Sequence, residues 1–88
     1  MSEQQVQAKI IKYLESKSYY VVKIITCNKR GVPDILFMKD GKFCAIEVKD
    51  KGKKSKVTEL QQFHLALINN TGGTAIVADC VEDVKEVF

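Results

Sequence analysis

The apolar positions of the chain follow a helical period near the N-terminus and a strand period in its middle. They first recur every three to four residues, at Val6, Ile10, Ile11 and Leu14. Ser2 and Gln5 stand before this row with the S-x-x-Q spacing of a capping box, which satisfies amide donors at a helix start. The pattern predicts an amphipathic helix over about residues 3–17.

Three strands are predicted after this helix, two of them joined as a hairpin. Residues 19–26, with the sequence YYVVKIIT, are dense in the β-branched and aromatic residues that favour strands. A second strand is predicted over 33–39, with proline at its first position, where a missing amide costs little. Asp40 and Gly41 are a two-residue signal for a type I′ turn, so a third strand is expected to return antiparallel over about 42–49.

The last third of the chain predicts a helix, a strand and a short terminal helix. Thr58 and Gln61 repeat the capping-box spacing. The inner face of the helix that follows is expected to consist of Leu60, Phe63, Ala66 and Leu67. The sequence TGG at 71–73 ends this helix, TAIVA at 74–78 predicts a fourth strand, and VEDVKEVF at 81–88 predicts the terminal helix.

These elements follow the order α-β-β-β-α-β-α, without internal repeats, linkers or low-complexity segments. A right-handed crossover through a helix makes the third and fourth strands parallel, whereas the hairpin strands are antiparallel. We therefore expect one α/β domain over residues 1–88, with a mixed sheet flanked by helices.

The composition is typical of a small globular domain. The chain has 88 residues, of which 45% are hydrophobic, which allows a core with a modest margin of stability. Association with a second copy is therefore open. No apolar run approaches the roughly 20 residues of a membrane helix, and the N-terminal sequence lacks signal-peptide character. A soluble, cytoplasmic protein without a membrane partner is expected.

The cysteines do not indicate a zinc centre. Cys27, Cys44 and Cys80 are far apart, form no C-x-x-C motif and are accompanied by a single histidine, His64. A structural zinc site needs four such ligands, with local pairs among them. We expect reduced cysteines, with Cys44 at an apolar position, and a packed or half-exposed histidine.

Charged residues interrupt the apolar strands of the predicted hairpin. Asp34 stands six positions before the turn and Glu47 six positions after it, so the two should lie nearly opposite each other across the ladder. Because side chains alternate along a strand, Glu47 and Lys49 share one face. Burying such a pair of carboxylates costs several kcal/mol unless something compensates their charge.

Three arrangements would compensate the pair: protonation of one carboxyl group, an intervening lysine, or a cation. The simplest is an Asp–Lys–Glu salt-bridge cluster. The flanking apolar stretches, the clustering at one end of the hairpin and the lysine-rich loop that follows favour the cation. Two close oxygen ligands with open positions suit Mg²⁺ or Mn²⁺, which retain several waters and bind beside phosphates.

The basic residues are distributed unevenly, although the net charge is only +3. The sequence KDKGKKSK at 49–56 carries five lysines against one aspartate. The basic residues that flank the acidic pair in sequence are Lys29, Arg30, Lys51, Lys53, Lys54 and Lys56. Such residues either solubilise a loop or contact the phosphates of a nucleic acid, which fixes position without reading sequence.

The sequence PD, a spacer of twelve residues and then EVK resembles the PD-(D/E)XK nuclease motif. The wider context, with SEQQVQAKIIKYL, GVPDILF and KVTELQQFHLALINNTGG, is similar to a VRR-NUC domain of the compact stand-alone kind found in phages and bacteria. The resemblance covers nearly the whole chain. It implies a restriction-endonuclease-like αβββαβ core with a mixed sheet flanked by helices.

The resemblance also implies roles for individual residues. Asp34 and Glu47 would bind the divalent metal ion, with the backbone carbonyl of Val48 as an additional ligand. Lys49 would serve the attacking water. Basic residues on both sides of the site would hold the DNA backbone.

Three more residues receive roles in the same way. Gln61 would lie at the edge of the site, Glu3 would reach toward the metal directly or through water, and Gly31 would let the chain turn tightly before the hairpin. On the residues alone, Gln61 also fits the capping box, and Glu3 also fits a favourable charge at a helix start.

The implied function is a Mg²⁺- or Mn²⁺-dependent DNA endonuclease, selective for branched DNA such as Holliday junctions and acting in a bacterial or phage-infected cell. A homodimer would cut two strands symmetrically. A single arginine and no base-reading helix favour recognition of DNA shape. The alternatives are a flap nuclease or nickase, a DNA-binding module of the same fold without catalysis, and an interaction domain whose acidic pair is only a salt-bridge cluster.

Overall fold

The predicted order of helices and strands is confirmed, and the computed structural model of the protein describes residues 1–88 throughout. The structure is an α/β fold with a four-stranded mixed sheet and three helices. Its elements are α1 (Glu3–Ser16), β1 (Val21–Lys23), β2 (Ile35–Lys39), β3 (Lys42–Val48), α2 (Glu59–Asn70), β4 (Thr74–Ala78) and α3 (Val81–Val87).

Local signals in the sequence set the starts of both long helices. The Ser2 hydroxyl accepts a hydrogen bond from the amide of Gln5, whose side-chain oxygen accepts one from the Ser2 amide at 2.9 Å. Thr58 and Gln61 form the same reciprocal pair at the start of α2. Both capping boxes therefore form as predicted, and the second brings a glutamine side chain to the beginning of α2.

The hairpin turn fixes the register of the central strands. Asp40 and the glycine after it have φ values of 53° and 77°, as a type I′ turn requires. In the strand order β1-β2-β3-β4, Ile35 lies opposite Ile46, and β4 runs parallel to β3. One face of the sheet packs against α1 and α3 around a core of Val6, Ile10, Leu14, Ile35, Phe37, Cys44, Ile46, Val48, Ala78 and Val84.

The first strand is shorter than the sequence predicts. Instead of 19–26, β1 covers only Val21–Lys23. The ladder continues for one further hydrogen bond, from the Ile24 amide to the Asp34 carbonyl at 2.8 Å. It then meets Pro33, which has no amide to donate, so the next residues leave the sheet. Tyr20, which lies within the predicted strand but before β1, is 71% exposed.

The predicted inner face of α2 is wrong. Leu60, Phe63 and Leu67 are 45%, 59% and 48% exposed, and no residue of α2 is fully buried. The helix rests on β3 and β4, on the face opposite α1 and α3, where it covers the completely buried Ala45. Near its C-terminal end, the amide of Asn69 exchanges hydrogen bonds with the backbone of the edge strand β4.

The cysteines are unpaired, as expected, and Cys44 packs in the core with 3% exposure. His64 is half-buried on α2, with its ring edge-on to Phe63 at 5.7 Å. No helix of the protein is both long enough and apolar enough to cross a bilayer.

Candidate metal centre

Four chain segments converge at one end of the sheet. The start of β2, the end of β3, and the first turns of α1 and α2 meet there. The register that places Ile35 opposite Ile46 makes Asp34 and Glu47 the next facing pair, as the hairpin pattern predicts. The two acidic residues are therefore brought together by strand pairing.

The Asp34 carboxylate is oriented by the neighbouring strand. Its Oδ2 atom accepts a hydrogen bond of 2.7 Å from the backbone amide of Val48. This hydrogen bond is stronger than one between neutral groups because its acceptor is charged. It connects Asp34, just before β2, to Val48, the last residue of β3. Asp34 itself stays half-buried, which leaves it accessible from outside.

Glu47 is the most confined acidic group of the protein, with 3% exposure. Its Oε2 atom accepts a hydrogen bond from the side-chain amide of Gln61 at 3.2 Å, and the Lys49 ammonium lies 3.8 Å from the same oxygen. Its Oε1 atom is buried and has no hydrogen-bond donor. A buried carboxylate oxygen without a partner is costly, so this atom calls for either a proton or a bound cation.

The environment of Glu47 disfavours its charge. Burial and, after it, the neighbouring Asp34 together raise the pKa of its carboxyl group to about 8, against the opposing effect of Lys49. A divalent ion would reverse this balance, since a nearby cation favours the ionised carboxylate.

One amide organises the rest of the site. The side-chain oxygen of Gln61 accepts hydrogen bonds from the Lys49 ammonium at 2.9 Å and from the Thr58 amide at 3.0 Å. Its nitrogen donates to Glu47. The two alternatives for this residue, helix cap and site residue, are therefore both realised by the same side chain. The Lys49 side chain is only 12% exposed, so it is held within the site.

Glu3 lies within electrostatic reach of the acidic pair. Burial raises the pKa of its carboxyl group first, and the charge of Asp34 raises it further, whereas Lys49 lowers it. The first turn of α1 thus brings a third carboxyl group toward the site. A role of this residue as a ligand, direct or through water, stays a prediction, and so does the ligand role of the Val48 carbonyl.

A salt-bridge cluster does not account for this arrangement. Lys49 approaches only one carboxylate, at the long distance of 3.8 Å, and the ion pairs of the protein do not include Asp34. Two carboxylates face each other, a third lies nearby, and one buried oxygen has no partner. Such a set of hard oxygen donors fits Mg²⁺ or Mn²⁺.

One polar residue of this region was not predicted from the sequence. Gln7 lies one helical turn after Glu3, is 8% exposed, and has a buried side-chain oxygen without a donor. Its position in the otherwise apolar row of α1 is the signal that could have identified it, because a glutamine there must bury a polar group.

The predicted phosphate-binding residues differ in their availability. Lys29, Arg30, Lys51, Lys53 and Lys56 are exposed. Lys54 is exposed as well, but its ammonium donates to the Asp83 carboxylate on α3 at 3.1 Å.

The lysine-rich loop after β3, residues 49–56, is held in place by a cluster of acidic side chains. The Gly52 amide donates to Asp79 at 2.9 Å, and Asp83 accepts from the Asp79 amide as well as from Lys54. Together with Cys80, these side chains lie close enough to hold a metal ion, but their oxygens already serve the loop and the start of α3. The cluster is therefore not evidence for Mg²⁺ or Mn²⁺ binding.

Gly31 brings the loop before β2 into direct contact with α2. It has φ +81°, and a Cβ atom there would lie 2.7 Å from Leu60 Cγ and 3.1 Å from the Leu60 backbone carbon and from His64 Cδ2. The expected tight turn is confirmed, and the close approach of the first turn of α2 is a second reason for glycine.

Replacing Gly31 by alanine is expected to displace the first turn of α2 and with it Gln61. Strain and overlap should lower the free energy of unfolding by about 1–3 kcal/mol. The matched control is Gly52→Ala, because Gly52 has φ +83° and open space around its Cβ position. Urea unfolding should show a clearly larger loss for Gly31→Ala, and equal losses would contradict the packing argument.

Comparison of the chain with protein-family models, curated proteins and solved structures gives no match. The geometry of the site and the chemistry of its side chains therefore carry the functional conclusion.

Proposed function

We propose that the protein is a divalent-metal-dependent DNA endonuclease of the VRR-NUC kind, with a restriction-endonuclease-like core. The observation that carries the proposal is the confined carboxylate pair, Asp34 and Glu47, with a buried oxygen that lacks a donor and a lysine fixed beside it. The observed order of elements and the PD…EVK spacing support the same assignment.

The residues of the site have different roles in the proposed hydrolysis of a phosphodiester. Asp34 and Glu47 would hold the ion, with Glu3 and the Val48 carbonyl as further ligands. When bound, Mg²⁺ or Mn²⁺ supplies Lewis-acid polarisation of a phosphoryl oxygen. Lys49 orients the attacking water and stabilises negative charge that develops on the phosphate.

Gln61 acts as a positioning residue in this scheme. It holds the Lys49 ammonium through its oxygen and Glu47 through its nitrogen, so a single side chain fixes the distance between cation and carboxylate. An ammonium that is already oriented loses little freedom when charge develops nearby, which is the condition for effective electrostatic stabilisation.

Binding of DNA is assigned to the exposed basic residues on both sides of the site. Lys29 and Arg30 precede the glycine that contacts α2, and the lysine loop follows directly after β3. These residues neutralise phosphates without contacting base edges. The substrate class that follows is DNA selected by its shape, with branched DNA such as a four-way junction as the first candidate, cut by a homodimer.

Lys53 and Lys54 lie in the same loop but should contribute differently to DNA binding, because only Lys54 forms an ion pair with Asp83 of α3. We expect Lys53→Ala to weaken DNA binding several-fold and to reduce the dependence of affinity on salt by about one counterion. Lys54→Ala should change affinity less, because its ammonium is already engaged by Asp83. Fluorescence anisotropy with labelled junction DNA at several salt concentrations measures both, and a larger effect of Lys54→Ala would contradict the assignment.

Cleavage of a substrate panel tests the function. Labelled four-way junction, flap and linear duplex DNA are incubated with Mg²⁺, Mn²⁺ or EDTA, with Asp34→Ala and Lys49→Ala beside the wild type. The proposal predicts metal-dependent cleavage of the junction that both variants lose while DNA binding persists. Cleavage of flap or linear DNA alone would keep the nuclease activity but show that the substrate is that of a flap nuclease or a nickase. Salt-sensitive binding without cleavage by any metal would leave a non-catalytic DNA-binding module and overturn the enzyme.

A further inference from the structure

Half of one sheet face is uncovered and carries exposed aromatic rings. α2 lies over β3 and β4, so no helix lies over the same face of β1 and β2. A depression on this uncovered half is lined by Tyr20, Val22, Leu36, Met38 and Phe43, which are called the apolar patch below. Tyr20, Met38 and Phe43 are 71%, 41% and 44% exposed, so two rings and a thioether face the solvent.

The apolar patch continues the row of side chains that contains the carboxylate pair. Strand alternation places Leu36 and Met38 on the same face as Asp34. Phe43 lies opposite Met38 in the same hairpin ladder that brings Glu47 to Asp34. At about 3.3 Å per residue, Leu36 lies roughly 7 Å and Met38 roughly 13 Å along the strand from Asp34. A DNA strand with a phosphate at the carboxylate pair therefore has the patch within a few nucleotides.

The two exposed rings stand on either side of Met38. The Met38 amide donates a hydrogen bond of 3.1 Å to the Tyr20 carbonyl, which places Tyr20 beside Met38 at the start of β1. Phe43 lies beside Met38 on the other side, in β3. With neighbouring strands about 4.8 Å apart, the backbones that carry the two rings are separated by roughly 10 Å. The patch thus offers two separate aromatic surfaces with an apolar thioether between them.

Basic residues border the apolar patch. The exposed Lys42 directly precedes Phe43, and at the end nearer the metal centre Arg30 is exposed in the loop that leads into β2. The charge of Asp40 in the hairpin turn is compensated by the Lys39 ammonium at 3.0 Å. Apolar rings between cations fit a ligand that carries flat apolar groups on a negatively charged chain. Unpaired DNA has this chemistry, whereas an apolar segment of a protein has no use for the bordering cations.

Aromatic rings on an open surface can bind bases only where the bases are unpaired. In a duplex, neighbouring base pairs cover the faces of each base, and the grooves expose only base edges. An unpaired base presents its flat face, and every base can stack on an aromatic side chain, so the contact tolerates any sequence. Such binding agrees with recognition of DNA without contacts to base edges.

We propose that the apolar patch is a binding site for unpaired nucleobases of DNA, which stack on Tyr20 and Phe43. The site is distinct from the metal centre and lies beside it on the same sheet face. The choice of DNA rests on the proposed endonuclease function, and it narrows the substrate to branched DNA that carries a single-stranded segment next to the cleaved phosphodiester.

Fluorescence anisotropy in EDTA tests the base-binding site without metal or cleavage. The probes are a labelled oligothymidylate and an abasic strand of the same length, which has the same phosphates but no bases. The wild type should bind the oligothymidylate about tenfold more tightly than the abasic strand. Tyr20→Leu and Phe43→Leu keep an apolar side chain but remove a ring. Each should weaken binding of the oligothymidylate about fivefold or more, without changing the dependence of affinity on salt.

Tyr20→Phe is the matched variant, because it keeps the ring, and it should retain the preference for the strand with bases. Val87→Leu, at a half-exposed position of α3 on the other side of the sheet, should bind both probes like the wild type. Equal affinity of the wild type for the two probes would overturn the proposal. A leucine variant at Tyr20 or Phe43 that weakens both probes equally, or neither, would also overturn it. Self-association that Tyr20→Leu disrupts, without any preference for bases, would assign the patch to a protein contact instead.

Cleavage separates the base-binding site from the nuclease. With Mg²⁺, a junction that has unpaired bases beside the branch should be cut several-fold faster than a fully paired junction, and Tyr20→Leu should remove this advantage. Equal rates for the two junctions would overturn the inferred substrate. A wild type that prefers strands with bases but cuts no DNA would refute the endonuclease alone. Cleavage by a wild type without that preference would refute the base-binding site alone.

Discussion

Replacing Glu47 by glutamine is expected to abolish cleavage and, at the same time, to stabilise the metal-free protein above neutral pH. The substitution keeps the volume of a side chain that is 3% exposed, and its amide can donate to Asp34 where two carboxylates now repel. It removes one negative charge from the proposed ligand set, which should lower the cleavage rate by about 10³-fold. The free energy of unfolding at pH 8.5 should rise on the order of 1–3 kcal/mol, because the substitution removes the buried and poorly compensated negative charge of Glu47.

Cleavage kinetics and urea unfolding in EDTA measure the two effects on the same preparation. Glu15→Gln is the matched control, because Glu15 is an exposed residue of α1 away from the site. It should change neither quantity. A Glu47→Gln protein that still cuts DNA at the wild-type rate, or that is less stable in EDTA at high pH, would contradict the assigned role.

The metal-free protein is expected to lose stability as the pH rises from about 5 to 9. Burial and the charge of Asp34 raise the pKa of Glu47 to about 8, from an ordinary value of 4.5. The folded state therefore binds the proton more tightly than the unfolded state, and the favourable contribution, complete below pH 4.5, disappears as the pH passes through about 8. The change is on the order of a few kcal/mol in the free energy of unfolding.

Urea unfolding in EDTA between pH 5 and pH 9 gives this dependence, and Glu47→Gln isolates it from the other titrating groups. The variant should show a flatter curve than the wild type over this range. Mn²⁺ added at pH 8.5 should restore the stability of the wild-type protein, because an ion that binds only the folded state stabilises that state. Identical pH profiles for wild type and variant would show that Glu47 does not titrate as the structure indicates.

The acidic pair could be predicted because strands and tight turns impose strict geometry. A two-residue turn at Asp40 and the alternation of side chains leave one register, so Asp34 and Glu47 had to face each other. Capping boxes are equally local, which is why Gln61 could be placed at the start of a helix that meets the site.

Features that depend on packing between residues distant in sequence could not be predicted from the sequence in this way. The apolar spacing of α2 predicts a buried row, but periodicity does not reveal how far a helix extends across a sheet, so the exposure of Phe63 is visible only in the structure. The early end of β1 depends on Pro33, which lies just before β2 and has no amide to continue the pairing. Lys54 could not be distinguished from its neighbours because its acceptor, Asp83, is distant in sequence.

Binding of Mn²⁺ to the metal-free protein tests most directly whether the pair of Asp34 and Glu47 is the metal site. Electron paramagnetic resonance at pH 8 would compare the wild type with Asp34→Ala, Glu47→Gln and Asp83→Asn, the last of which alters the other acidic cluster. We predict that the first two variants weaken binding by about a hundredfold or more, whereas Asp83→Asn binds like the wild type. Loss of binding in Asp83→Asn, with binding retained in Asp34→Ala and Glu47→Gln, would contradict the proposed metal site.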